Sequence, residues 1–507
     1  MSLKKILLSI LLSLAVVGCG SEETKTSIVE KKEKVLKVSQ GAQPKSLDPN
    51  LYNEVPALAI TKQIFNTLIG VDKNGNLVPE LAEKWEFVDD QNIRISIRDD
   101  IKFHNGEKLT VEDVIFSLER ALSMPGSRSV IEKIKHVSKI DDKTFNIELE
   151  TTFAPVLYGL AHPLTAIQNK KYTLEKGELV RQEPLGTGPY KYKNWVSGEN
   201  IELEAFDDYF LGRPKVDKII FRVIPENTNR LIALETGEID IAYGIAPIDV
   251  EQIEKDKNLE LVSELSYSTE FVQLNNNRAP FNNKKFRQAI SSAIDKASIA
   301  EAIYLGKATP ASTIVNPSVF GSDQNVLSYD YNPEKAKELL AESKEQEKNV
   351  KIWVNDNAVR IQVAQIIQAN LKEIGLNGEI EILEWGAYLQ KSANGEHQML
   401  LGGWNAGTGD ADNALFPLLH SLSRGPNGNR SFYESKDADY LIEMAQKTTD
   451  VENRKEIYSK AQEVINEDVP LIPIVYRKEN IGVSKKVYGF EYKASGHHSL
   501  HNIELKD

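Results

Sequence analysis

Cysteine is nearly absent from this chain: Cys19 is the only one in 507 residues. That excludes an intramolecular disulfide, any zinc-type Cys spacing and a thiol nucleophile in the body of the protein. Other signatures are missing too. There is no Gly-x-Ser-x-Gly elbow, no His-Glu-x-x-His pair and no Lys-Ser/Thr phosphate loop, so neither the common hydrolase motifs nor a nucleotide site is present. Cationic excess is lacking as well, because 61 Lys and Arg stand against 74 Asp and Glu, a formal net charge of −13. Nucleic acid is a poor partner for such a balance, since phosphate neutralisation needs a basic surface. No internal repeat or low-complexity stretch interrupts the sequence, and nothing in it calls for a cofactor or a catalytic residue.

The longest uncharged apolar run, Ile6 to Val17, is too short for an ordinary spanning helix. It follows Lys4 and Lys5 and precedes Gly18-Cys19-Gly20, the layout of a signal peptide with a small-residue cleavage site. Val16-Val17-Gly18-Cys19 resembles a bacterial lipobox, which implies that residues 1–18 are removed and that Cys19 carries a lipid. Residues 19–35 are polar and charged, with too little apolar surface to offset the entropy of ordering them, and read as a flexible tether.

Beyond the tether, 41% hydrophobic content supports large cores, and strand and helix patterns alternate to the end. Asn92 to Arg98 alternates, with Ile93, Ile95 and Ile97 on one face, as a strand covered on one side does. Thr110 to Asp113 reads as a capped helix start leading into Val114, Phe116, Leu118 and Leu122. Phe286, Ala289, Ile290, Ala293 and Ile294 form one helical face, and the order strand 350–354, helix 362–374, strand 380–382 predicts a parallel β-α-β unit. Gly186-Thr187-Gly188-Pro189 predicts a tight turn in which the glycines take up positive φ. Trp85 and Phe103 read as core, and His104 beside the Asn105-Gly106 turn as a structural hydrogen-bonding residue.

Several separated stretches together resemble the peptide-binding extracytoplasmic proteins of ABC importers, the class that includes dipeptide, oligopeptide, nickel and glutathione binders. They are Leu47-Asp48-Pro49, Val78 to Trp85, Lys102 to Gly106, Pro184 to Tyr190, Leu234 to Asp240, Pro280 to Asn283, and Phe286 to Asp295. Two further stretches, Ala161 to Ala166 and Gly403 to Leu415, resemble the glutathione-binding branch more than the oligopeptide-binding one.

The resemblance implies an α/β, two-lobed periplasmic-binding-protein-like fold of the large type, with the ligand cleft between lobes. The expected first lobe is 36–265 with an inserted subdomain at about 56–183, completed by 485–507; the expected second lobe is 266–484. The implied function is that of a monomeric, lipid-anchored substrate-binding component, not an enzyme, which hands a short peptide to the importer's permease and ATPase subunits. Closure buries the ligand, so its charged ends need partners. Asp410 or Asp412 is the candidate for its ammonium, with Tyr52, Trp404 and Asn405 as further pocket residues. In the dipeptide and oligopeptide binders an Asp lies three residues after the equivalent Trp, and here that position is Gly407. Arg360 is near where the dipeptide binder keeps its carboxylate-binding Arg, yet it also fits a solvent-facing helix start. His497, His498 and His501 suit either packing and capping in the returning segment or ligation of nickel or a metal chelate.

Overall fold

The computed structural model describes residues 33–506, so the signal-peptide and lipidation expectations, Cys19 and most of the tether lie outside the described residues. Among the described residues no helix is long and apolar enough to cross a membrane.

An 11-stranded mixed sheet forms the backbone of the protein. Its strands in chain order are β1 (Val35–Gln40), β2 (Tyr190–Val196), β3 (Asn200–Ala205), β4 (Lys218–Val223), β5 (Ile241–Ala242) and β6 (Leu259–Leu274). The remaining five are β7 (Ala308–Pro310), β8 (Asn349–Asn355), β9 (Asn377–Leu383), β10 (Met399–Asn405) and β11 (Leu471–Ser484). Their spatial order is β9-β8-β10-β6-β11-β5-β1-β4-β3-β2, with β7 paired to β11. The parallel partners β8 and β9 are joined by a helix, which supplies the predicted crossover. That helix, Ala358–Glu373, starts four residues earlier than its apolar periodicity predicts, because Asn357 caps it by accepting from the Arg360 N–H.

β6 and β11, at 16 and 14 residues, are far longer than their neighbours. They pair in one register from Leu259↔Ser484 to Leu265↔Lys478, slip, and resume at Thr269↔Tyr476. A strand pair that slips bends and twists locally.

Each half has its own core. In the first lobe, Leu36, Val38, Ile60, Ile64, Tyr190, Ile219 and Phe221 pack with Leu500 and Ile503 from the end of the chain. Gln63 secures that return by donating to the His498 carbonyl and accepting from the Leu500 N–H. A separate four-stranded antiparallel sheet contains the predicted strand as Asn92–Ile97, its three isoleucines almost wholly buried. Against it packs the helix Val111–Ser123, opened by a capping box between Thr110 and Asp113. In the second lobe, Phe286, Ile290, Val350, Ile352, Ile367 and Ile472 share one core. A second cluster there unites Tyr267, Ala411, Leu415, Ile442 and Tyr458.

Phe103 is fully buried, whereas Trp85 only packs at the edge of its core, and His104 hydrogen-bonds the Gly188 carbonyl at 3.0 Å. The Gly186 to Pro189 segment needs glycine for a different reason than predicted. Neither Gly186 nor Gly188 has a positive φ. Instead a Cβ on Gly186 would lie 2.1 Å from the Ile64 carbonyl oxygen, and one on Gly188 2.5 Å from that of Gln63. Close backbone approach is what excludes a side chain here.

Candidate functional site

A cavity of about 230 Å³ lies between the lobes. The first lobe contributes the hairpin Ile69–Val71 and Leu77–Pro79 with its connecting turn, the segment Ala161 to Pro163, and the returning C-terminal residues. The second lobe contributes Tyr267, Ser318, Gly407 and Thr408. Contacts already cross between the halves around it: the Ala154 N–H donates to the Gln446 carbonyl at 2.7 Å, and the Tyr158 and Phe320 rings lie 5.5 Å apart.

The charged lining is three lysines, Lys62, Lys73 and Lys493, against two carboxylates, Asp72 and Glu80. Lys62 pairs with Glu80 at 2.9 Å, and Glu80 also accepts from Asn66 and Thr67. Asp72 accepts from the backbone N–H groups of Asn74 and Asn76, and these bonds together with Lys493 hold its carboxyl below the usual range despite partial burial. Lys493 reaches Glu491 at 2.8 Å and the Val71 carbonyl at 3.1 Å. Two of the three lysines are thus already paired with carboxylates, Lys62 with Glu80 and Lys493 with Glu491.

Three imidazoles complete the wall, those of His162, His497 and His501. The rings of His162 and His497 meet edge to face at 5.5 Å, and burial pushes His162 down to about 4 and His497 well below its ordinary value. Both are neutral at pH 7. His162 Nδ1 accepts the Leu164 N–H at 3.2 Å, so the single proton of the neutral ring sits on Nε2. That nitrogen is 3.7 Å from where a Cβ on Gly407 would be. His162 thus presents a hydrogen-bond donor, not a lone pair, to this side of the cavity.

The predicted pocket residues are not brought together. Tyr52 is 41% exposed, with the Lys45 ammonium 5.5 Å from its ring centre, and is absent from the cavity wall. Trp404 packs against the second-lobe core and donates its Nε1–H to the Asn413 carbonyl at 2.6 Å. Asn405 comes nearest to the cavity: it bonds Ser268 through Nδ2, and its Oδ1 lies 3.7 Å from a Cβ position on Gly407.

Asp410 requires a correction. It is fully buried, one carboxylate oxygen taking Arg454 at 2.5 Å and the other the Tyr458 hydroxyl at 2.9 Å and the Asp412 N–H at 2.9 Å. A carboxylate so engaged has no free face for an ammonium, and its work is to fix the loop that carries Gly407 and Thr408. Asp412 opens the helix Asp412–Leu419 and accepts from Gln446 at 2.8 Å. Desolvation, and then the neighbouring Asp410 charge, push its carboxyl up to about 7.

Sequence reasoning missed the lysines and His162, because they converge from segments more than 400 residues apart. The usable signals were Gly407, where a departure from the related pattern marked a position that does line the cavity, and the C-terminal histidine cluster, of which His497 and His501 line it.

Arg360 is neither solvent-facing nor free. It pairs with Glu270 at 3.0 Å, donates to Asn355 at 3.1 Å and keeps 19% of its side chain exposed. The three C-terminal histidines diverge. His497 turns to His162, and His498 lies among Tyr243, Phe490 and Tyr492 with Nδ1 accepting from the Lys493 N–H. His501 bonds the Gly212 carbonyl through Nε2 at 2.9 Å. Among the described residues, no three His, Cys, Asp or Glu side chains form a metal-ligand set.

The profile described as bacterial extracellular solute-binding proteins, family 5 Middle, matches residues 76–425. The chain is 31% identical to the glutathione-binding protein GsiB of Salmonella typhi, over 97% of this chain and 98% of that protein. It is 28% identical to the dipeptide-binding protein of Escherichia coli (strain K12), over 92% of this chain and 94% of that one. Among solved structures, HbpA2 from Haemophilus parasuis superposes with a TM-score of 0.87 at 28% identity, covering 93% of this chain and 100% of its own. With the profile spanning most of its length and relatives aligned almost end to end, the chain belongs to the bacterial extracellular solute-binding proteins of family 5, binding proteins and not enzymes.

Proposed function

We propose that this protein is the lipid-anchored capture component of an ABC importer for short, net-anionic peptides, with glutathione the first compound to test. The observation that carries the reading is the interlobe cavity, with three lysines against two carboxylates and Gly407 where dipeptide and oligopeptide binders have an aspartate. Glutathione carries two carboxylates and one ammonium, and the wall offers lysines for the first and carboxylates for the second. The neutral His162, holding its proton on Nε2, suits a carboxylate or carbonyl oxygen better than a metal ion, which needs the lone pair. Relatives that bind glutathione and dipeptides support the peptide class. We also place the boundary between lobes at the register slip between Leu265 and Thr269, where closure would bend the paired strands. Reopening would fall to the permease, and ATP use to a partner subunit.

Gly407→Asp is the deciding variant. A Cβ there meets nothing closer than 3.7 Å and φ is not positive, so the fold should accept it. The new carboxylate should weaken glutathione binding by tenfold or more, about 1.4 kcal/mol at least, and improve neutral dipeptides relative to it. Titration calorimetry on protein stripped by unfolding and refolding checks this. If neither glutathione nor any dipeptide binds the parent, while a nickel–histidine complex does, the metal-chelate reading replaces this one.

The anchoring proposal has its own test. Cys19→Ser should move the protein from the membrane fraction to the soluble one, and an intact mass of membrane-extracted parent showing an unmodified Cys19 would end the idea.

A further inference from the structure

The three lysines of the cavity wall are not equivalent. Lys62 is tied to Glu80 at 2.9 Å, and Lys493 to Glu491 at 2.8 Å and to the Val71 carbonyl at 3.1 Å. The wall carboxylates are engaged as well, Glu80 by Lys62, Asn66 and Thr67, and Asp72 by Asn74 and Asn76. Lys73 stands apart: it lines the cavity and is exposed, and among the described residues its ammonium makes no ion pair and no hydrogen bond.

The backbone beneath that free ammonium is fixed. Lys73 follows Asp72 in the turn joining Ile69–Val71 to Leu77–Pro79, which the Gly75 N–H closes by donating to the Asp72 carbonyl at 3.2 Å. Gly75 takes φ +82, a conformation that favours glycine. The Asp72 carboxylate grips the N–H groups of Asn74 and Asn76 at 2.8 and 2.9 Å, and the Tyr158 hydroxyl donates to the Gly75 carbonyl at 3.1 Å. Lys493 holds the Val71 carbonyl on the other side of the turn. A pinned base with a free tip delivers a compact point charge on a flexible stem to one part of the wall.

The difference in partners decides which lysine can respond to a ligand. A carboxylate arriving at Lys62 or Lys493 competes with a carboxylate already in place, and what it gains is offset by what that pair gives up. At Lys73 there is nothing to displace. We propose that Lys73 is the specificity-determining cation of the cavity, the group that meets a free carboxylate of the bound peptide, while Lys62 and Lys493 hold the wall. This rests on the peptide reading and adds to it the residue that selects for the ligand's negative charge.

The test is titration calorimetry on the parent, Lys73→Met and Lys73→Arg, with glutathione, or with a dipeptide where glutathione does not bind. Met keeps an unbranched apolar stem and removes the charge, whereas Arg keeps the charge. At about 0.05 M salt, Lys73→Met should bind roughly fivefold to tenfold more weakly than the parent, and Lys73→Arg within about twofold of it. At about 0.5 M salt the deficit of Lys73→Met should shrink to about twofold, since a charge contact at an exposed lysine is screened and a packing defect is not. Thermal melts without ligand should coincide for all three proteins. Parent-like binding by Lys73→Met at low salt overturns the assignment alone, as does a loss that salt leaves unchanged or that Arg fails to restore. A parent that binds neither glutathione nor any dipeptide removes the peptide reading, and the role of Lys73 with it.

Discussion

Replacing Arg454 by Met should lower the stability of the folded protein by about 3–5 kcal/mol, the cost of leaving one member of a buried ion pair without its partner. The guanidinium and the Asp410 carboxylate are only 5% and 1% exposed, and they meet at 2.5 Å. Arg454 also donates to the Ala445 carbonyl and the Tyr458 hydroxyl, so its removal strands three acceptors. Asp410→Ala should destabilise comparably. The Arg454→Met, Asp410→Ala double variant should be more stable than the sum of the single losses, because it leaves no unpaired buried charge. Urea melts of the four proteins check this, and single losses under about 1 kcal/mol would refute it. Glutathione affinity should fall in Asp410→Ala as well, through displacement of the loop bearing Gly407 and Thr408 and not through loss of an ammonium anchor.

Asp412 should make stability fall as pH rises from about 4 to about 7. Its carboxyl titrates near the ordinary carboxylate value of 3.8 when unfolded and at about 7 when folded. Between those two values the folded chain holds the extra proton, so deprotonation favours unfolding; below both, the group contributes nothing. Desolvation sets the direction and the Asp410 charge adds to it, while Gln446, Arg454 and Lys133 oppose both. Each tenfold separation is worth about 1.4 kcal/mol, which puts the loss at roughly 2–4 kcal/mol by pH 8. Asn needs no proton. Asp412→Asn should therefore match the parent near pH 4 and exceed it at pH 8, and thermal melts at the two pH values will tell. Parallel pH profiles of the parent and the variant would sink the prediction.

Both expectations concern residues that looked like ligand contacts in the sequence. A polar residue in a loop has the same letter whether it faces a ligand or a buried arginine, and Arg454 lies 44 positions away. Local features were legible because their causes are local. The Ile93-Ile95-Ile97 alternation and the Thr110/Asp113 capping box each need only a few neighbours to be recognised. The Gly186 turn was found for the wrong reason, since close approach to Ile64 depends on a helix more than 120 residues earlier. The cavity was least legible of all. Lys62, His162, Gly407 and Lys493 come from four distant parts of the chain, and only the register of the large sheet brings them to one place.

The return of the chain end to the first lobe also sets an order of assembly. Leu500 and Ile503 belong to the same core as Leu36 and Ile60, and Gln63 has its main-chain partners at His498 and Leu500. A core that joins Leu36 to Ile503 cannot be finished until those distant segments have met, whereas the second-lobe core at 272–475 needs neither of them. Long-range closure of this kind is slow, because the loop entropy must be spent before the contacts form. The first-lobe core is thus closed over the longer chain separation, and the space between the lobes takes its final shape only once that closure is made.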